Sequence, residues 1–128
     1  MLAQAVAEAP NECVGLLAGT PDGQVTERLP LINALADPRR FESDPRSLLA
    51  AERRRRQLGL EFLAVYHSHP TSPPIPSRTD TDPEVNFWLG SDTVSIIISL
   101  AGDTPEARAY WLAPGSYEAA EMKVIPEP

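Results

Sequence analysis

The segment LEFLAVYHSHP, residues 60–70, is an apolar run that ends with two histidines in three positions. A short apolar run of this composition is typical of a β-strand. Because side chains alternate between the two faces of a strand, His67 and His69 point the same way, with Cα atoms about 6.6 Å apart. They are the only histidines in the sequence. The segment therefore predicts a strand that presents two imidazoles on one face, a spacing at which a metal ion can be bound.

The rest of the chain contains more strand patterns than helical ones. An alanine-rich stretch over residues 2–9 predicts a helix that Pro10 stops, and Asp44 and Gly59 frame a second helix over residues 45–58. Five further segments predict strands: residues 13–20, 25–33, 93–100, 107–113 and 117–125. This pattern predicts an α+β (mixed α/β) fold with a twisted central sheet flanked by two or three helices.

The composition limits the partners and the compartment. With 128 residues, the chain is predicted to form one domain over residues 1–128. Its 18 acidic and 11 basic side chains give a net charge of −7, which repels nucleic acid and anionic membranes. One cysteine, Cys13, excludes an internal disulfide, and no run approaches the roughly 20 apolar residues of a membrane span. We therefore expect a cytoplasmic protein that binds neither nucleic acid nor membrane, with a homodimer left open.

The two histidines need a further ligand if they bind a metal ion. Since the sequence has no third histidine, a carboxylate must complete the set, and Asp80 is the candidate at the far end of a proline-rich loop. Two imidazoles and one carboxylate leave a fourth tetrahedral position for water, as in catalytic rather than structural zinc sites. The alternative is a pair of strand-end histidines with ordinary hydrogen bonds.

Ser77 and Asp80 form a Ser-x-x-Asp motif that has a second interpretation. A serine at a helix N-cap with an acidic residue three positions later is typical of a capping box. Pro83 weakens this interpretation, because a helix begun at Ser77 would meet a proline in its second turn. Capping and metal binding can also coexist in the same four residues.

Hydrolysis assisted by a metal ion also needs a base, and both histidines are already assigned to the metal. Glu12, in NECVGLLAG, stands directly before an apolar strand that is predicted to be central in the sheet. An acidic side chain at such a place either faces solvent or is kept there because it has a function. Glu12 is thus the candidate general base, with an ordinary surface residue as the alternative.

Together these residues resemble the JAMM metalloprotease domain, also called MPN+ or Mov34/PAD-1, and the chain looks like its small standalone bacterial members. The family signature is a glutamate ahead of a Gly-containing apolar strand, then His-x-His-Pro, and Ser-x-x-Asp after seven residues. Five positions match, with residues 70–76 as the spacer: Glu12, His67, His69, Ser77 and Asp80. The resemblance implies a cytidine-deaminase-like layering of sheet and helices. It also implies that the first strand of the family domain is missing from this chain.

The resemblance further implies a zinc-dependent (iso)peptidase that hydrolyses bonds at the C-terminal glycine of ubiquitin-like or β-grasp sulfur-carrier proteins. One Zn2+ ion per chain would be bound by His67, His69 and Asp80. Glu12 would activate the zinc-bound water, and Ser77 would stabilise the oxyanion. The alternative is a catalytically silent protein-binding module of the same fold, but such relatives usually lack ligands, and here none is missing.

Two other metal chemistries fit the sequence less well. Non-haem iron oxygenases use two histidines and a carboxylate, but their carboxylate usually sits beside the first histidine and their fold is a larger double-stranded β-helix. Zinc deaminases need a Pro-Cys-x-x-Cys element, which a chain with one cysteine cannot provide. The peptidase interpretation is therefore preferred.

The substrate tail has one candidate contact in the sequence. A flexible glycine-rich tail is best held as an added strand, because backbone hydrogen bonds ask nothing of its side chains. Residues 37–44, DPRRFESD, are expected to lie beside the site and to pair with this tail. The alternative is an ordinary surface loop.

Overall fold

The computed structural model describes residues 1–33, 44–84, 86 and 93–123. Within these ranges the chain forms two helices, α1 (Leu2–Glu8) and α2 (Pro45–Leu58). The same ranges contain six strands: β1 (Val14–Gly19), β2 (Val25–Leu31), β3 (Glu61–His69), β4 (Val94–Ser99), β5 (Glu106–Ala113) and β6 (Ser116–Ala119). The predicted α+β class is confirmed.

The six strands form one mixed sheet in the order β2-β1-β3-β4-β5-β6. Neighbouring strands are antiparallel except β3 and β4, which run parallel. The histidine strand β3 therefore lies inside the sheet, between β1 and β4. His67 is paired with Val14 of β1 and with Ile97 of β4. The strand end that carries the two histidines is thus flanked by backbone on both sides.

Helix α2 begins and ends where the sequence predicts. The Asp44 carboxylate accepts a 3.0 Å hydrogen bond from the amide of Ser47, and Gly59 ends the helix with a φ of 66°, a left-handed conformation that favours glycine. The helix buries Ala51 against the sheet face that also carries His67. The buried residues of this cluster are Val14, Leu16, Ala18, Leu29, Leu31, Ala51 and Val65.

The opposite sheet face packs under α1 and depends on a glycine. A Cβ atom at Gly15 would lie 2.1 Å from the ring of Tyr66, so only glycine leaves room for this ring over β1. The Tyr66 hydroxyl donates a hydrogen bond to the side chain of Gln4, and Ala5 of the helix is fully buried in the same cluster. The glycine inside the apolar strand β1 thus allows Tyr66 and α1 to pack on this face of the sheet.

Two predictions need a correction or a limit. The last strand was predicted over residues 117–125, but β6 ends at Ala119, and all four of its residues are exposed at the sheet edge. Ala120 packs against the core cluster under α1 without extending the strand, Met122 is exposed, and residues 124 and 125 lie outside the described residues. Because β6 has no buried residue, little burial of apolar surface favours a longer strand. The predicted substrate-pairing segment, residues 37–44, lies outside the described residues except for Asp44. No helix within the described part of the chain is long and apolar enough to cross a membrane.

Candidate metal centre

The two histidines meet at the end of β3 as the strand alternation predicts. Their Nε2 atoms are 3.2 Å apart, and the side chains of His67 and His69 are only 2% and 6% exposed. Nδ1 of His69 lies 2.9 Å from the carbonyl oxygen of Pro73. Because a carbonyl only accepts, Nδ1 carries the proton and donates it. The protonated ring can then donate from Nε2 to a neighbouring carboxylate, whereas the neutral ring, the form that binds a metal ion, has its lone pair on Nε2.

Asp80, at the far end of the proline loop, contacts both histidines. Its Oδ1 lies 3.1 Å from Nε2 of His67, and its Oδ2 lies 3.0 Å from Nε2 of His69. Burial alone would raise the pKa of the Asp80 carboxyl. The charge of His67, with hydrogen bonds from both histidines and from the amide of Ser77, instead holds this pKa well below its usual range. Asp80 is therefore a carboxylate aimed at two imidazole nitrogens.

Ser77 and Asp80 make both contacts of a capping box. The amide of Ser77 donates to Oδ2 of Asp80 at 2.8 Å, and the amide of Asp80 donates to Oγ of Ser77 at 3.1 Å. Turns rather than a helix follow over residues 78–84. The capping contacts thus coexist with the histidine contacts and orient the Asp80 carboxylate. Because Oγ of Ser77 accepts from the amide of Asp80, its hydroxyl proton remains available to a ligand.

The proline loop between His69 and Ser77 is fixed to three adjacent strands. The His69 ring of β3 bonds to the loop carbonyl of Pro73, as described above. In addition, Oγ of Ser99 in β4 donates to the carbonyl of Ser72 at 2.6 Å, and the hydroxyl of Tyr110 in β5 donates to the carbonyl of Pro74 at 2.5 Å. Sequence reasoning missed Ser99 and Tyr110. Ser99 has a sequence signal, because it is a polar residue at the end of the largely apolar strand β4, whereas Tyr110 lies in the middle of β5 and nothing in the sequence marks it.

Glu12, two residues before β1, lies next to the same group. Its side chain is 1% exposed, and Oε1 lies 4.0 Å from Nε2 of His67. The interpretation of Glu12 as a surface residue is therefore wrong. The peptide that follows Glu12 is tied to its surroundings, because its carbonyl accepts from Asn33 and the amide of Cys13 donates to Ser68. The glutamate is thus a buried carboxylate next to the imidazole pair.

These donors fit a divalent metal ion. One ligand atom each from Glu12, His67 and His69 lie within 4.8 Å of one another, which is the geometry of a site that could hold a metal ion. Asp80 makes the closer contact, at 3.0 to 3.1 Å from both histidines. Imidazole nitrogen and carboxylate oxygen are the usual ligands of zinc and related metals in proteins. The donor set therefore fits a metal ion, with one more carboxylate than a two-histidine, one-carboxylate site requires.

Comparison with known proteins identifies a family. Residues 1–113 match the family model described as prokaryotic homologs of the JAB domain. The chain is 38% identical to a Haloferax volcanii protein named desampylase over 80 residues, which cover 61% of this chain and 58% of the relative. It is 43% identical over 74 residues to a Thermus thermophilus protein named probable TtuB-protein conjugate cleaving protease, covering 57% of this chain and 49% of the relative. The chain thus spans about half the length of these curated relatives.

A solved structure supports the same fold. The solution structure of a Desulfitobacterium hafniense protein superposes with a TM-score of 0.85 at 34% sequence identity. The match covers 99% of this chain and 87% of that protein. The arrangement of strands and helices described above is therefore shared with an experimentally determined relative over nearly the whole chain.

Proposed function

Because the chain belongs to the family of prokaryotic JAB-domain homologues, we propose that it is a zinc-dependent peptidase of the JAMM type. Its substrates in this proposal are bonds at the C-terminal glycine of ubiquitin-like or β-grasp sulfur-carrier proteins. The names of two relatives, a desampylase and a probable TtuB-protein conjugate cleaving protease, support cleavage of protein conjugates. The single buried cysteine, Cys13, supports a reducing compartment, and we place the protein in the cytoplasm.

One zinc ion would be held by His67, His69 and Asp80. Asp80 is preferred over Glu12 as the third ligand, because its carboxylate contacts both imidazoles while Glu12 lies 4.0 Å from one of them. When bound, zinc supplies Lewis-acid polarisation of the scissile carbonyl and a lowered pKa for water. The hydrogen bond from Nδ1 of His69 to Pro73 and the amide of Ser77 on Asp80 orient two of the three ligands.

Glu12 serves as the general base. It is one carboxylate more than the metal requires, it is buried, and it lies beside a proposed ligand. Its role is to take a proton from the attacking water and to pass it to the leaving amine. A base placed in this way typically contributes about 10² to 10⁴-fold to the rate.

Ser77 serves as a hydrogen-bond donor to the oxyanion. Its oxygen accepts from the amide of Asp80, so the hydroxyl proton can point away from the capping contact and toward substrate. One such donor is typically worth about 10² to 10³-fold in kcat. The loop that carries Ser77 is fixed by three strands, which fits the need for a preorganised donor.

The observation that carries this proposal is that two imidazoles and the Asp80 carboxylate meet beside a second carboxylate, that of Glu12, whose Oε1 lies 4.0 Å from Nε2 of His67. The test incubates the purified protein and one equivalent of zinc with β-grasp carriers extended beyond their C-terminal Gly-Gly. Intact masses are measured with and without a chelator. Release of the extension directly after Gly-Gly, abolished by the chelator and restored by zinc, is expected.

Glu12→Gln separates the peptidase from a silent binding module. The glutamine keeps the shape of the side chain but cannot take a proton, so cleavage should fall by at least about 10²-fold while carrier binding persists. If the unmutated, zinc-loaded protein binds a carrier without cleaving any extension, the binding module is correct and the peptidase proposal is wrong.

A further inference from the structure

The peptide group between Glu12 and Cys13 is held at both ends by buried side chains. The carbonyl of Glu12 accepts a 3.0 Å hydrogen bond from Nδ2 of Asn33. The amide of Cys13 donates a 2.8 Å hydrogen bond to Oγ of Ser68. Both side chains come from distant parts of the chain, Ser68 from β3 and Asn33 from just beyond β2, and both are buried. The peptide is thus fixed from the two strands that flank β1.

Ser68 makes a second contact with the same residue. Its amide donates to the carbonyl of Cys13 at 3.1 Å, so Cys13 and Ser68 exchange two hydrogen bonds. The regular pairing of β1 with β3 runs only as far as Val14 and His67. In a continued antiparallel ladder, the amide of Cys13 would be directed at the backbone carbonyl of Ser68. Here the serine hydroxyl accepts it, at the point where the chain leaves the ladder toward Glu12.

Strand alternation gives Ser68 a particular place. His67 and His69 face one side of β3, and Ser68, between them, faces the other and is fully buried. The same three residues therefore supply two imidazoles on one face and an anchor for the Glu12 peptide on the other. Any shift of β1 relative to β3 at this point changes the distance between the Glu12 carboxylate and the histidines.

We propose that Ser68 is a positioning residue that holds Glu12 in register with the two histidines, with Asn33 holding the other end of the same peptide group. The inference rests on the proposed function, in which Glu12 is the base. Misplacing a catalytic group by about 1 Å can cost about 10²-fold in rate. Loss of the Ser68 hydroxyl should therefore reduce turnover without removing a ligand or a substrate contact.

The experiment compares Ser68→Ala, Ser68→Thr and the control Ser95→Ala in the full, zinc-loaded chain. Ser95 is also a buried serine, on the neighbouring strand β4, so its change matches the loss of a buried hydroxyl. The readouts are kcat and KM on the extended carrier that the unmutated protein cleaves, and zinc affinity by chelator competition. Hydrogen exchange of the Cys13 amide, followed by NMR, reports on the hydrogen bond between this amide and Ser68 independently of activity.

For Ser68→Ala we expect kcat to fall by about 10 to 100-fold, with KM and zinc affinity changed by less than about threefold. The Cys13 amide should exchange at least about tenfold faster, while the amides of α2 keep their protection. Ser68→Thr keeps a hydroxyl and should restore most of kcat. Ser95→Ala should lower stability without changing kcat.

The inference is overturned if Ser68→Ala folds, binds zinc and turns over within about threefold of the unmutated protein, or if its activity falls only in proportion to lost zinc. Should Ser68→Ala fail to fold, Asn33→Ala tests the same peptide from its other end. An unchanged kcat in Asn33→Ala would also overturn the inference. If the unmutated protein cleaves no carrier, the proposed function fails. The exchange rate of the Cys13 amide then still decides whether Ser68 holds this peptide.

Discussion

The hydroxyl of Tyr110 donates a 2.5 Å hydrogen bond to the carbonyl of Pro74, which ties strand β5 to the loop that carries Ser77. Tyr110 is buried, and its ring packs edge-on against Tyr117 at 5.6 Å. The loop lies between the proposed metal-binding end of β3 and the proposed oxyanion donor. Its position therefore depends on a residue that lies far from it in the sequence.

Tyr110→Phe should loosen this loop while keeping the ring. Removal of the donor leaves a buried carbonyl without this bond, so stability should fall by about 1 to 3 kcal/mol. We expect kcat on an extended carrier to fall several-fold, because Ser77 is held less firmly. The control is Tyr117→Phe, an exposed neighbour, which should leave both values unchanged. Equal effects of the two substitutions on kcat would contradict the anchoring role of Tyr110.

Asp80→Asn should weaken zinc binding more than it weakens the fold. Asparagine keeps an oxygen for the capping contact with Ser77 but removes the negative charge that faces both imidazoles. We expect a loss of zinc affinity of at least about 10²-fold, measured by competition with a coloured chelator. Asp82→Asn is the matched control, since Asp82 accepts a local bond from the amide of Glu84. Comparable zinc affinity in both variants would exclude Asp80 as a ligand.

Zinc affinity should fall as the pH is lowered. Burial lowers the pKa of His69, but the carboxylate of Asp80 and the carbonyl of Pro73 outweigh burial and raise this pKa above its ordinary value. A proton on Nε2 competes with the metal, so binding releases it, and affinity should drop by up to about tenfold per pH unit below that pKa. Isothermal titration in two buffers of different ionisation enthalpy measures the released protons. Binding without proton release between pH 6 and 7 would contradict this assignment.

Gly15→Ala should destabilise the protein through a clash rather than through helix or turn propensity. The added Cβ would lie 2.1 Å from the Tyr66 ring, which must then move out of a packed cluster. Overpacking of this kind typically costs about 1 to 3 kcal/mol. At Gly102 the nearest atom to an added Cβ is 3.7 Å away, so Gly102→Ala is the control in thermal unfolding. Equal melting temperatures for the two variants would refute the close packing of Tyr66 on β1.

Much of the site followed from local patterns in the sequence. Alternation along a strand placed His67 and His69 on one face, and the caps at Asp44 and Gly59 set the limits of α2. The Ser-x-x-Asp motif predicted a local contact, which the structure shows in both directions between Ser77 and Asp80. These features depend on residues a few positions apart, where backbone geometry leaves few choices.

The sequence by itself determined which residues are available for chemistry: two histidines on one strand face, an aspartate on a proline-stiffened loop, and a glutamate before an apolar strand. Only the tertiary structure decided that Glu12 is buried, that Asn33 and Ser68 hold its peptide, and that Ser99 and Tyr110 fix the loop. The reason is physical. The alternation of side chains along a strand assigns each side chain to one face of the sheet. Which strands become neighbours, however, is set by packing across the whole sheet. Contacts between residues far apart in the sequence therefore leave no local pattern from which they could be predicted.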